Sequence, residues 1–207
     1  MKAGKQQLWD KLMSVWGGDT PACSVYLAEF YTKEFPDDHF GWLVLADGLI
    51  DISSFETAAE ALRNALRICP LAHRGLVYSK AGKFYREKGS LIRAEKWYRK
   101  AVTLDPSQEH LIFLGACIAK QGRYNDATDL HQQAINAAPD TADEAYFNLG
   151  LVHRANKNYL DALRNFEKAI EIDPEYDDAI TAILDIRRLL ELRAEITKKP
   201  AKKLPEI

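Results

Sequence analysis

Five histidines and three cysteines carry this chain's capacity for metal, redox or acid–base chemistry. Cys23, Cys69 and Cys117 are scattered, odd in number and without a C-x-x-C pair. That pattern argues against a disulfide framework and against a zinc site, and free, partly buried thiols are expected. His131 and His153 are the one histidine pair that draws attention, because both fall on faces expected to pack between helices. Two imidazoles alone make a poor transition-metal site. No metal is therefore expected, and a metal- or pH-responsive regulator acting through His131 and His153 is kept as an alternative. His39, His73 and His110 lie near helix starts or in linkers and suggest nothing further. The sequence holds no glycine-rich phosphate loop, no G-x-S-x-G elbow and no H-E-x-x-H helix. The expectation is a chain without catalytic residues or cofactor, hence not an enzyme.

Composition narrows the partners. A formal net charge of −2 makes no electrostatic case for nucleic acid, whose binders carry a basic face. No apolar run approaches a membrane span. The start of the chain carries Lys2 and Lys5 with no apolar stretch behind them, so no signal peptide is read there and a cytoplasmic protein is expected. Lys198, Lys199, Lys202 and Lys203 sit among prolines and read as a solvated, disordered tail over 198–207.

The elements that position everything else are repeats. Pro36, Pro70, Pro106, Pro139 and Pro174 are spaced 34, 36, 33 and 35 residues apart, and a fixed period in that range signals stacked repeats. Four repeats open at His39, Gly75, Gln108 and Asp143. Position four is bulky (Trp42, Tyr78, Leu111, Tyr146) and position eight small (Ala46, Gly82, Gly115, Gly150). Positions twenty (Ala58, Ala94, Ala127, Ala162) and twenty-seven (Ala65, Ala101, Ala134, Ala169) are always alanine. Position twenty-four reads Leu62, Tyr98, His131 and Phe166. A small residue at position eight facing the alanine at position twenty would let two helix axes approach closely. Positions four, seven, eight and eleven share one helical face. Gly89-Ser90 reads as a helix stop and N-cap, Ser53 with Glu56 as a capping box, and Gly122 and Asn156/Asn158 as turn residues.

This pattern resembles the tetratricopeptide repeat (TPR) family, and the stretch from Asp143 to Pro174 matches almost throughout with Tyr146, Leu149, Gly150, Tyr159, Ala162, Phe166, Ala169 and Pro174. The resemblance implies an all-α, right-handed α-solenoid of helix-turn-helix repeats. Its expected division is a degenerate repeat over about 5–38, repeats over 39–72, 75–107, 108–141 and 143–176, and a C-terminal capping helix over 177–197. In the first of these Leu8, Trp9, Leu12, Val15 and Trp16 form an apolar stripe, and Asp19-Thr20-Pro21 reads as an N-cap with proline at a first helical position.

Positions two, five, six, nine and thirteen face away from the packing face, and in the tetratricopeptide fold that side of each first helix lines a concave groove. The candidate partner surface is therefore Phe40, Leu43, Val44 and Asp47, then Ser79, Lys80 and Lys83, then Ile112, Phe113 and Ala116, and last Phe147, Asn148 and Leu151. An apolar run on a face left open by the stack suits a peptide-like segment of a partner protein. Apolar burial at Phe40, Leu43, Phe113, Phe147 and Leu151 would give affinity. Lys80, Lys83, Asp47 and Asn148 would set register. One subset of the family grips chaperone tails with a carboxylate clamp; only Asn148 fits that clamp here, so chaperone-tail binding is not implied. A scaffold or adaptor is the expected function, with homo-oligomeric assembly through the groove or the last helix as an alternative.

Overall fold

The structure is a computed structural model that describes residues 3–18 and 20–198. Every regular element among the described residues is helical. The α-helices are α1 Ala3–Met13, α2 Pro21–Glu34, α3 His39–Asp51, α4 Phe55–Ile68, α5 Arg74–Glu87, α6 Leu91–Leu104, α7 Gln108–Ala119, α8 Tyr124–Ala137, α9 Asp143–Ala155, α10 Tyr159–Ile172 and α11 Asp177–Lys198. Single 3-10 turns at Leu71–His73 and Pro139–Thr141 precede α5 and α9. From α3 onward consecutive helices pair into antiparallel hairpins, and each hairpin stacks on the next to make an α-solenoid.

The prolines end helices by acting on the residue before them, which cannot easily hold helical geometry. Phe35, Cys69, Asp105, Ala138 and Asp173 all leave it, with ψ between 63 and 126°. At the other end, the Asp38 carboxylate caps α3 by accepting from the Phe40 backbone N–H at 3.1 Å. Of the expected N-cap before α2, Asp19 lies outside the described residues; Thr20 takes the cap position with Pro21 in the first turn. The Lys- and Pro-rich tail lies outside them too, apart from Lys198.

The capping box at Ser53 is not formed. Ser54 is the N-cap of α4, without a side-chain cap bond, and Ser53 instead sits at φ 60°. Gly89 (φ 75°), Gly122 (φ 79°) and Lys157 (φ 63°) occupy the same position fifteen in the other three hairpins. Each tight turn thus demands one left-handed residue, and at Asn156/Asn158 the residue between them supplies it.

Close helix packing comes from a different pair than position eight with position twenty. A Cβ on Gly82 would meet the Tyr98 ring at 2.5 Å, and one on Gly150 would meet Phe166 at 2.5 Å. Position eight is bare because the ring at position twenty-four lies flat on it. The first strong repeat reaches the same fit with Ala46 against the smaller Leu62, both buried. Fully burying a ring such as Phe166 stabilises by about 1.5–3 kcal/mol.

First helices of neighbouring hairpins touch one another (α3 with α5, α5 with α7, α7 with α9) more extensively than second helices do. The stack therefore closes on the first-helix side, and that side is its inner face.

Candidate functional site

Within the stack each first helix is wrapped by its own second helix and by both neighbours, so only a narrow strip stays open. On α7 that strip is Glu109, Phe113 and Ala116, with Lys120 at its C-cap; on α9 it is Glu144, Asn148, Leu151 and Ala155; on α5 it is Leu76, Lys80, Lys83 and Glu87. These are positions two, six, nine and thirteen.

Position five is buried in three of the four repeats, which corrects Leu43, Ser79 and Ile112 as candidate residues, while Phe147 stays partly exposed. Leu43 is buried with Ala65, Cys69 and Val77. Ser79 is buried. Ile112 belongs to the core between α7, α8 and α9 with Leu111, Ile135 and Ala145. Phe147 is half-buried, packing on Phe166 at 5.5 Å and on Tyr176 at 5.0 Å between ring centroids. Position five turns into the next hairpin because the superhelical stagger brings that neighbour beside it.

On α3 the open strip is itself covered, and the cover is the chain's own amino-terminal hairpin. Val44 is buried in a cluster with Leu12, Val25 and Tyr31. The Trp9 ring meets Phe40 edge-on at 6.4 Å, leaving Phe40 37 % exposed. Trp16, beyond the end of α1, donates its indole N–H to Asp47 Oδ2 at 3.1 Å. Asp47 is 7 % exposed and also binds Lys80 Nζ at 2.9 Å and Lys83 Nζ at 2.8 Å. Lys83 adds Asp51 at 2.7 Å, and the Lys80 ammonium lies 5.6 Å from the Trp16 ring centroid. Burial would raise the Asp47 carboxyl, but Lys80 and Lys83 outweigh it and hold the carboxyl below the usual carboxylate range. Burial likewise opposes the Lys83 charge, and its two carboxylate partners overcome that and push its pKa up. Three of the four residues expected to set register, Asp47, Lys80 and Lys83, are thus first of all a polar lock between α3 and α5.

Among the described residues, hollows open on the inner face at two places between first helices. One, of about 210 Å³, lies between α5 and α7 and is lined by Ser79, Lys80, Lys83, Arg86, Tyr98 and Phe113. The other, of about 470 Å³, lies between α7 and α9; Ala116, Ala119, Lys120, Asn148, Leu151 and Val152 line it, and His131 of α8 reaches it from below. Asn148 is anchored there, donating its amide to the Glu144 carbonyl at 2.9 Å.

His131 and His153 do not form a joint. His131 is wholly buried with neither ring nitrogen hydrogen-bonded, and burial pulls its pKa down to about 4. His153 is partly exposed. The histidines that do meet are His39 and His73, with Nε2 and Nδ1 2.9 Å apart and rings stacked at 5.0 Å. Their separation of 34 residues, one repeat length, is the signal that would have found them. Among the described residues no group of three His, Cys, Asp or Glu side chains is placed to hold a metal, and no helix is long and apolar enough to cross a membrane.

Comparison with known proteins agrees with this geometry. Family models described as tetratricopeptide repeat match residues 107–175 and 76–108. A TPR repeat-containing protein of Methanocaldococcus jannaschii is 26% identical over 136 residues, which is 66% of this chain and 24% of that protein. The chain therefore spans about a quarter of that relative. Among solved structures, a thermophilic TPR protein of Thermus thermophilus superposes with a TM-score of 0.77 at 20% identity, over 88% of this chain and 98% of that one. YrrB, a TPR protein with an unusual peptide-binding site, superposes with a TM-score of 0.57 at 19% identity, over 84% of this chain and 87% of its own. With the proline-ended hairpins and the glycine-to-ring contacts, these matches show that the chain belongs to the tetratricopeptide repeat family.

Proposed function

We propose that the chain works as one solenoid unit over residues 1–197, a non-enzymatic scaffold or adaptor that holds a peptide-like segment of a partner protein on its inner face. The observation that carries this reading is the open strip of α7 and α9. Phe113, Ala116, Asn148 and Leu151 stay partly exposed around two adjoining hollows, with Glu109 and Glu144 exposed beside them on the same helices. An extended or helical segment laid along that strip could insert one side chain into each hollow, a mode in which a few anchors supply most of the affinity. That a fold neighbour carries a peptide-binding site supports the reading. The amino-terminal end of the groove is filled by α1 and Trp16, so Phe40, Leu43, Val44 and Asp47 drop out of the proposed contact surface. Phe113, Ala116, Asn148 and Leu151 remain in it, with Lys80 and Lys83 at its edge. A cytoplasmic setting goes with this reading.

The test is recovery of a partner from native lysate, followed by direct titration of the recovered segment as a synthetic peptide. A Phe113→Ala/Ala116→Glu variant with unchanged helicity is expected to bind that peptide at least about tenfold more weakly, the range of a lost anchor. Equal affinity for both proteins would move the site off the inner face.

A second reading, self-assembly through the last helix, is favoured by the exposed Leu184, Leu192 and Ile196 on α11. Light scattering across a concentration series checks it: a mass that stays at one chain contradicts assembly.

A further inference from the structure

α11 stands where the first helix of one more hairpin would stand. Ala179, Ala182, Ile183 and Ile186 are buried on one side of it, the last three in a cluster with Ala162 and Phe166 of α10. Its opposite side forms an end of the stack. Repeat stacks stay soluble by presenting a polar face at such an end. This end is not polar. Ile180, Leu184, Leu192 and Ile196 all lie open there, Leu184 63 % and Ile196 71 % exposed. With the exposed Arg188 at the middle, they follow one another at four-residue steps and make a single ridge along the helix.

The ridge reads Ile, Leu, Arg, Leu, Ile, the same from either end. A two-fold axis sets residue i against j and j against i, so an antiparallel copy of α11 meets this ridge with its own in matching order. With the axis at Arg188, Leu184 of one copy faces Leu192 of the other, and Ile180 lies toward Ile196. Ridges of four-residue step from two helices interdigitate when the axes cross at about 50°, the commonest class of helix packing. The charges favour the same direction. α11 opens with Asp177 and Asp178 and ends at Lys198. Antiparallel copies bring opposite charges together at each end, and parallel copies would bring like ones. At the axis each Arg188 is held by Glu191 of its own helix at 3.2 Å, so the two guanidiniums do not meet as bare charges.

We infer that α11 is a pairing surface for a second copy of this chain, docked antiparallel about a two-fold axis at Arg188 with Leu184 and Leu192 as its anchors. This rests on the reading of self-assembly through the last helix and adds to it the direction, the register and a closed stoichiometry of two. The ridge lies at the end of the stack rather than on α7 and α9, so the pair leaves both inner faces open to a partner segment. One helix face is at the small end of stable interfaces, and dissociation in the micromolar range is expected.

The experiment has two parts, both on the full chain. Analytical ultracentrifugation over a concentration series is expected to show the mass rising from one chain to two and stopping there. Leu192→Glu, at an exposed position that leaves helicity unchanged, should weaken the pairing at least about tenfold, the range of a lost anchor. Disulfide cross-linking then reads the register. Cys69 and Cys117 are buried and Cys23 is exposed, so Cys23→Ser supplies the background. A Leu184→Cys chain mixed with a Leu192→Cys chain in a glutathione redox buffer should give a cross-linked pair containing one of each. Either chain alone should cross-link far less, because position 184 and its own copy stand about 12 Å apart along the axis. A mass that stays at one chain would overturn both the pairing and the self-assembly reading. A mass of two that Leu192→Glu leaves intact, or chains that cross-link with their own kind instead, would overturn the antiparallel register and leave self-assembly standing. Growth beyond two chains would overturn the closed pair in favour of a head-to-tail array.

Discussion

Gly150 is held bare by a single contact, the Phe166 ring 2.5 Å from its missing Cβ. Alanine there gains up to about 1 kcal/mol of helix propensity, but overpacking a filled interface costs about 1–3 kcal/mol, so Gly150→Ala is expected to destabilise. Adding Phe166→Leu should restore most of the loss, because Ala46 with Leu62 is that solution in the first strong repeat. Chemical denaturation reads both, and a Gly150→Ala chain more stable than the parent would contradict the contact. His131 makes the opposite prediction. Two buried, unpaired nitrogens cost about 1–3 kcal/mol, so His131→Phe should be more stable at neutral pH. Acid sharpens the difference. The folded ring titrates near 4, well below an ordinary histidine, so between the two values the unfolded chain binds the extra proton. Stability therefore falls as pH drops from about 7 to 4, by roughly 3 kcal/mol for this group. His39, held low by burial and then by His73, adds a contribution of the same sign. Melting temperature against pH should be visibly flatter in His131→Phe; an unchanged slope would mean that the ring is not the titrating group.

At the scale of elements, each helical hairpin turns through one left-handed residue, and two hairpins place a residue with a side chain there. Lys157 at φ 63° bears the strain an L residue meets there, about 1–2 kcal/mol. Glycine's extra freedom in the unfolded chain returns up to about 1 kcal/mol of that. Lys157→Gly should thus stabilise by about 0.5–1 kcal/mol in urea unfolding, and a loss of stability would show that the lysine side chain has a contact of its own. Helix ends were legible in the sequence, since each proline acts on its neighbour locally. The left-handed position was legible only where glycine occupied it, at Gly89 and Gly122. Ser53 hid it by mimicking a capping box, and Asn156 and Asn158 by flanking it with residues that also favour turns.

For the whole molecule, the repeat pattern made the stack readable because small residues and rings recur at fixed offsets. It said less about the inner face. A period identifies which side of a helix faces its own partner, but not how far the neighbouring hairpins wrap around it. That is why position five, read as open, carries Leu43, Ser79 and Ile112 in the interior. Nor could it show that α1 and Trp16 fold back over α3, since the amino-terminal hairpin lacks the repeat's marks and docks through Trp9, Leu12 and the Asp47 lock. The proposed site is accordingly shorter and displaced toward α7 and α9. Amide hydrogen exchange of the chain with and without its recovered partner segment tests that placement most directly. Slowed exchange confined to α7 and α9, with α3 unchanged, is the predicted footprint; protection on the outer helices α8 and α10, or along α11, would contradict it.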